Sequence, residues 1–214
     1  MKSTNNLIIL CLLASFFSWF IGGKSIDFLA FSTSNILSGK FWTPITALFI
    51  HSDLIHLLGN IIFLYVFGNT LESEIGAAKM LVAFLFGGIS AFFLSIFFYP
   101  PNIPMIGASA AIFTLAAVSM LVKPLRTSLL FLFLPVGLVA ILYFIFNLFQ
   151  IYYGISSNIA YISHVMGFLI GIPLGIFWSK KWIKNLIITC LLLLIYLILA
   201  YWVIPLLFIT YNIG

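Results

Sequence analysis

Residues 80–122 read MLVAFLFGGISAFFLSIFFYPPNIPMIGASAAIFTLAAVSMLV, with no charged side chain among them. A helix crossing the hydrocarbon core of a bilayer needs about 20 predominantly apolar residues, so this stretch is too long for one crossing. It also carries its own break, Tyr99-Pro100-Pro101-Asn102-Ile103-Pro104, because proline has no N–H to donate and clashes with the preceding helical turn. Two apolar helices joined by a short loop are expected. Working outward, further charge-free tracts run over Ser3–Gly23, Leu54–Leu71, Thr127–Ser179 and Asn185–Gly214. The tract from Thr127 is again too long for one helix and breaks at Gly154-Ile155-Ser156-Ser157-Asn158. Seven membrane helices are predicted, at about residues 6–22, 51–70, 78–98, 107–122, 129–150, 159–178 and 186–208.

Composition agrees with that count. Of 214 residues, 64% are hydrophobic and 6% charged, and the mean hydropathy is +1.28. A soluble domain is excluded, since such domains are about 25% charged, and disorder is excluded because it requires low hydrophobicity. The expected fold class is all-α, a polytopic transmembrane bundle forming a single domain over 1–214. Only the connection at about 24–50 is long, and its Lys24, Asp27, Lys40 and Phe41-Trp42 suit a segment lying in the membrane interface.

With the N-terminus in the cytoplasm, the inner side holds Lys2, Lys79, Lys123, Arg126, Lys180, Lys181 and Lys184, and the outer side only Lys24 and Lys40. Short loops rich in Lys/Arg stay inside, so the net charge of +5 is a topological signal and no nucleic-acid partner is expected. Lys2 followed by an apolar run imitates a signal peptide, but no A-x-A-like site follows, and the first span is read as a retained helix. Cys11 and Cys190 lie in apolar helices and are read as small hydrophobes.

Polar groups at membrane depth are costly and mark function. His56 and Asn60 are four apart and share one face of the second helix, with His51, Ser52 and Asp53 at its mouth. The fourth helix opens Ile106-Gly107-Ala108-Ser109-Ala110-Ala111 directly after the proline-rich break. Ser109 therefore falls in a first turn, where backbone N–H groups are free and the dipole is positive. An ordinary N-cap serine would look the same. The sixth helix carries His164 beside a stripe of Gly167, Gly171 and Gly175, which permits close backbone approach. The fourth helix offers a small face in Ala108, Ala110, Ala111, Ala116 and Ala117. Packing these two faces together brings Ser109 and His164 into reach, at the same depth near the outer surface as His56 and Asn60. A serine next to a histidine base is an activated nucleophile. No carboxylate is available at that depth, Asp53 being expected in solvent, so the expected unit is a Ser/His dyad.

These residues resemble the rhomboid family of intramembrane serine proteases. The resemblance is carried by His51-x4-His56-x3-Asn60, Gly107-x-Ser109 and His164-x2-Gly167-x3-Gly171, in order, and covers about Phe41 to Gly175. It implies Ser109 as nucleophile and His164 as general base, with His56, Asn60 and the Ser109 backbone N–H as oxyanion hole. It further implies that His51, Gly107 and Phe113 shape the site, that Gly167 and Gly171 pack helices, and that Leu71-Glu72-x3-Gly76 forms a turn. The sequence departs from the family pattern at Thr43 after Trp42, where many members have Arg, at Ala110 after the serine, often Gly, and at Phe113, often Tyr. A six-helix core over about 6–178 would gain an extra helix at about 186–208, relative to most prokaryotic members.

The implied activity is cleavage of transmembrane segments of other membrane proteins near their outer ends. Substrate would enter laterally between the second and fifth helices, with the loop Tyr152–Asn158 as a cap. The implied setting is a prokaryotic cell membrane, with the lipid bilayer and membrane-protein substrates as partners, no cofactor and no metal; nothing in the sequence specifies an oligomeric state. A catalytically silent relative that binds transmembrane segments would keep the fold without the Ser/His pair. A metal, haem or transport protein built on three histidines fits worse, since His51 and His56 do not share a helix face and no Cys or carboxylate completes a ligand set.

Overall fold

The computed structural model describes residues 2–154 and 160–203. Helices dominate the described residues, and no strand occurs among them beyond two isolated bridges. Helix α1 spans Lys2–Ile21, followed by the short helices α2 (Lys24–Leu29), α3 (Thr33–Leu37) and α4 (Thr43–Thr46). Then come α5 (Leu54–Ile75), α6 (Ala77–Ser95), α7 (Ser109–Val122), α8 (Val136–Tyr152), α9 (Tyr161–Trp178) and α10 (Trp182–Ile198), the last running into a π turn at Leu199–Val203. By length and composition, α1, α5, α6, α9 and α10 with its π turn can cross a membrane, while α7 and α8 are shorter apolar helices. Large side chains such as Phe20, Ile55 and Phe177 are more than 80% exposed, an outer surface suited to lipid rather than water.

Helix α7 is the axis of the molecule. Every residue from Ala110 to Leu121 is buried, because α7 is apolar all round, as a helix enclosed by others must be. Lipid tails are as apolar as these side chains, so association depends on packing and interhelical hydrogen bonds, which small residues promote. Two of its neighbours, α6 and α9, present glycines to it. A Cβ on Gly171 of α9 would stand 2.6 Å from the Thr114 carbonyl oxygen, and one on Gly167 would meet the Ala110 carbonyl oxygen. On the other side, a Cβ on Gly88 of α6 would lie 2.9 Å from that of Ala111, and Gly87 faces Thr114. The Thr114 hydroxyl donates to the Gly167 carbonyl at 2.8 Å and ties α7 to α9 at that contact.

Two helix ends are closed by side chains from other helices, which satisfies backbone groups that a low-dielectric surrounding would leave costly. The Glu72 carboxylate, near the end of α5, accepts from Ser3 N–H, Thr4 N–H and the Thr4 hydroxyl at 2.7–3.0 Å. A negative charge thus sits on the positive end of α1. Asn185 of α10 donates to the Leu121 and Val122 carbonyls at 2.7 and 3.0 Å, which closes the C-terminal end of α7.

The segment between α1 and α5 is built against the helices rather than left as a loop. Phe31 and Met105 exchange backbone hydrogen bonds at 3.0 and 2.7 Å, and the Lys40 ammonium donates to Asp27 O and Asn35 Oδ1. Trp42 donates to Phe28 O at 2.9 Å and is 40% exposed, beside Phe41 at 74%. Thr43 is buried and donates to Lys40 O at 2.9 Å.

Two boundaries need correction. Helix α5 runs to Ile75 rather than to about 70, so Leu71 and Glu72 are helical and the chain turns only at Gly76, φ 87°. Helix α8 starts at Val136 and not at 129. Leu129–Phe131 form a single 3-10 turn, and Leu132 and Phe133 adopt left-handed φ of 51° and 61°. Pro135 explains the delay, since it disfavours helix for Leu134 and has no N–H to give. The chain re-enters the bundle through Val136 N–H to Arg126 O and Gly137 N–H to Pro124 O. Tyr152 ends α8 and Gly154 turns at φ 59°. The rest of the expected cap loop and the end of the expected last span, to 208, lie outside the described residues.

Candidate active site

The site is assembled at the N-terminal end of α7. Gly107 has φ 105°, a conformation that side-chain-bearing residues rarely adopt, and its N–H donates to Ala47 O at 2.8 Å. A Cβ there would stand 2.8 Å from His56 Nε2, so only glycine leaves room for that ring against the turn. The first helical bond of α7 runs from Ile112 N–H to Ala108 O at 2.9 Å. The N–H groups of Ser109, Ala110 and Ala111 are left without an intrahelical acceptor, at the positive end of the helix.

Close packing of α7 on α9 puts the Ser109 hydroxyl 2.7 Å from His164 Nε2. His164 is 6% exposed. Its ring stacks on Phe113 at 4.7 Å and 11°. Phe113 stacks on Tyr143 of α8 at 4.2 Å, and Tyr143 on Phe63 of α5 at 4.3 Å. An aromatic column thereby runs from the histidine through four helices. The other ring nitrogen, His164 Nδ1, lies 2.8 Å from Asn147 Oδ1. Asn147, of α8, is a residue that the sequence reading did not single out. The signal was available: an amide within the apolar run Val136–Tyr152 is itself a costly polar group at depth.

Across a cavity of about 170 Å³ from this pair lie His56 and Asn60. Ser52 N–H and the Ser52 hydroxyl face His56 Nδ1 at 3.4 and 3.1 Å. The Ser52 hydroxyl donates its proton to Asp53 Oδ2 at 2.7 Å, so Ser52 ties the His56 ring to the Asp53 carboxylate, and His56 Nε2 faces Gly107. Asn60 spends one amide N–H on His56 O at 2.8 Å, and its Oδ1 is buried without a protein partner among the described residues.

His51 does not line the cavity. It is 1% exposed and acts as a brace behind it: Ala108 N–H points at His51 Nε2 at 3.4 Å, and Nδ1 lies 3.0 Å from the Ser15 hydroxyl, which donates to Phe49 O. Trp19 donates to His51 O at 2.8 Å. Ser15 and Trp19 joined the arrangement only in three dimensions. Asp53 stays outside in solvent as the N-cap of α5, accepting from His56 N–H at 2.8 Å. That backbone bond, with the Ser52 hydroxyl next, holds its carboxyl below the usual carboxylate range.

A hydroxyl at hydrogen-bond distance from a buried imidazole, next to helix N-terminal N–H groups and a cavity, is an arrangement suited to acyl transfer. The sequence model of the rhomboid domain family matches residues 38–181. The chain belongs to the rhomboid family. Among similar proteins, Rhomboid-like protein 11, chloroplastic, of Arabidopsis thaliana is 42% identical over 79 residues, covering 37% of this chain and 28% of the relative. RHOMBOID-like protein 12, mitochondrial, of the same plant is 28% identical, covering 70% of this chain and 49% of the relative. Rhomboid-like protease 3 of Toxoplasma gondii is 26% identical, covering 71% and 59%. The chain thus spans between about a quarter and three fifths of the length of these relatives. Family membership and the apolar helices make this rhomboid an integral, multi-pass membrane protein.

Proposed function

We propose that this rhomboid is an intramembrane serine endopeptidase that cleaves transmembrane segments of other membrane proteins near their outer ends. The observation that carries the reading is the 2.7 Å approach of Ser109 Oγ to His164 Nε2 at a helix N-terminus that opens onto a cavity. In this mechanism His164 Nε2 takes the Ser109 proton as Oγ bonds to the scissile carbonyl carbon. The resulting oxyanion is held by the Ser109 backbone N–H, the His56 ring and the free amide N–H of Asn60. His164 then returns the proton to the leaving amine, and water taken through the same base hydrolyses the ester. The chemistry needs no cofactor.

Lateral entry between α5 and α8 is supported by an apolar groove of about 400 Å³, lined by Phe63, Phe131, Leu134, Val139 and Tyr143. It shares Phe63 and Tyr143 with the cavity of Ser109. We read the whole chain as one domain, a six-helix core over about 6–178 with α10 added. Its N-terminus is cytoplasmic by the Lys/Arg bias, and the setting is a prokaryotic cell membrane with the site opening outward.

Two substitutions test the function. Ser109→Ala and His164→Ala, reconstituted with a single-span substrate, are expected to lower cleavage by at least about 10²-fold each, the lower end of what general-base catalysis supplies. Labelling by a fluorophosphonate is expected in the wild type and lost in Ser109→Ala. Cleavage that persists in Ser109→Ala, or a wild type inert to both assays, would point instead to a relative that only binds transmembrane segments.

A further inference from the structure

We infer that Asn147 is a positioning residue that fixes the tautomer and the ring plane of His164, making the working unit Ser109–His164–Asn147. This rests on the protease reading above. An asparagine can present an imidazole with either its oxygen or its nitrogen, and the two choices have opposite consequences. An amide oxygen facing Nδ1 requires the proton on Nδ1 and leaves Nε2 with the lone pair that a general base needs. An amide nitrogen facing Nδ1 would place the proton on Nε2 and leave no base facing the serine.

The structure decides between them through a third group. Asn147 Nδ2 lies 2.8 Å from the Tyr143 carbonyl oxygen, which only accepts. The amide nitrogen is committed there, and Oδ1 is turned to His164 Nδ1 at 2.8 Å. The hydrogen bonds then run in one direction, from Ser109 Oγ–H to Nε2 and from Nδ1–H to Asn147 Oδ1. When His164 takes the serine proton, both ring nitrogens carry hydrogen. The positive imidazolium is then met by the amide oxygen, and no second proton transfer is needed.

Burial and the surroundings leave this role to Asn147. It is 1% exposed, and none of the described residues lining the cavity is a carboxylate. The ring is also held from its face by Phe113, which Tyr143 backs in turn. Tyr143 and Asn147 are four residues apart and share one face of α8, so one helix supplies both the edge-on acceptor of the base and the ring that backs Phe113.

The test compares Asn147→Leu, similar in volume but without an acceptor, with Asn147→Asp, which keeps the acceptor and loses the donor to Tyr143 O. In the full chain, Asn147→Leu is expected to lower kcat for a single-span substrate and the rate of fluorophosphonate labelling by about 10- to 100-fold, part of what a general base contributes, with KM nearly unchanged. Asn147→Asp is expected to stay within about threefold of wild type, because orientation by an acceptor is what the base requires. Histidine 15N spectra of the solubilised chain give a readout independent of turnover. His164, assigned by its loss in His164→Ala, is expected as the Nδ1–H tautomer in wild type and as a mixture rich in Nε2–H in Asn147→Leu.

Equal labelling rates with Nδ1–H retained in Asn147→Leu would overturn the role of Asn147 while leaving the protease reading intact. An Asp variant impaired about tenfold or more relative to wild type would also overturn it, since the amide's bond to Tyr143 O would then be what matters; this arm stands even if Asn147→Leu fails to fold. A wild type that neither cleaves nor labels defeats the protease reading and the role together.

Discussion

Gly107 and Asp53 illustrate how single residues set up the mouth of the site. Gly107 adopts φ 105° with His56 against it, so Gly107→Ala combines backbone strain with a clash against the imidazole. The expected cost is about 1–3 kcal/mol and a displaced His56, seen as a lower unfolding temperature in detergent and weaker fluorophosphonate labelling. Gly59→Ala on the same cavity, where an added Cβ meets nothing within 4 Å, should leave stability within about 0.5 kcal/mol. Asp53 caps α5 through His56 N–H, and Asp53→Ala should cost about 1 kcal/mol. Its folded pKa is depressed, so the stabilisation is present above the unfolded pKa of about 3.9 and is lost as pH falls through the folded value. Asp53→Asn keeps a capping oxygen and should remove that acid dependence, measured as unfolding temperature against pH between about 5 and 2.

At the scale of the element, α7 is held between glycine-bearing faces of α6 and α9, and the Ser109–His164 distance depends on the α7–α9 contact. Gly167→Ala would push a methyl group into the Ala110 carbonyl, one residue from the serine. We expect a loss of about 1–3 kcal/mol from overpacking, with labelling falling more than stability because the two helices separate at the site. Unfolding temperature and labelling rate measured on one preparation check this. Helix α8 shows how a local rule moves an element boundary: the apolar run from Leu129 looked helical, but Pro135 delays the start to Val136. The register of α8 is what brings Tyr143 and Asn147 to the histidine.

For the whole molecule, the asymmetry of seven inner against two outer Lys/Arg predicts orientation. In a Cys11→Ser, Cys190→Ser background, Asn102→Cys is expected to react with an impermeant thiol reagent from the outside of intact cells. Lys181→Cys should react only after permeabilisation. The reverse pattern would turn the site toward the cytoplasm. Helix α10 is bound to the bundle through Asn185 on the Leu121 and Val122 carbonyls, far from Ser109 along α7. Asn185→Leu strands those two acceptors and is expected to cost about 1–3 kcal/mol, while labelling of the folded fraction stays at the wild-type rate.

The sequence by itself determined the all-helical class, the approximate spans and the polar residues at depth, because the bilayer makes each charge and each buried polar group expensive enough to stand out. Ser109, His164, His56 and Asn60 were legible for that reason, and so was the glycine face of α9. Hydropathy does not encode the partner of a side chain, and there the tertiary structure decided. It turned Asn147 toward His164, stacked Phe113 on Tyr143, and put His51 behind the site as a brace on Ala108 rather than in the cavity. Each of these depends on the rotation of one helix against another. That rotation is set by steric fit among small residues and by hydrogen bonds to backbone carbonyls, neither of which leaves a periodic trace along the chain.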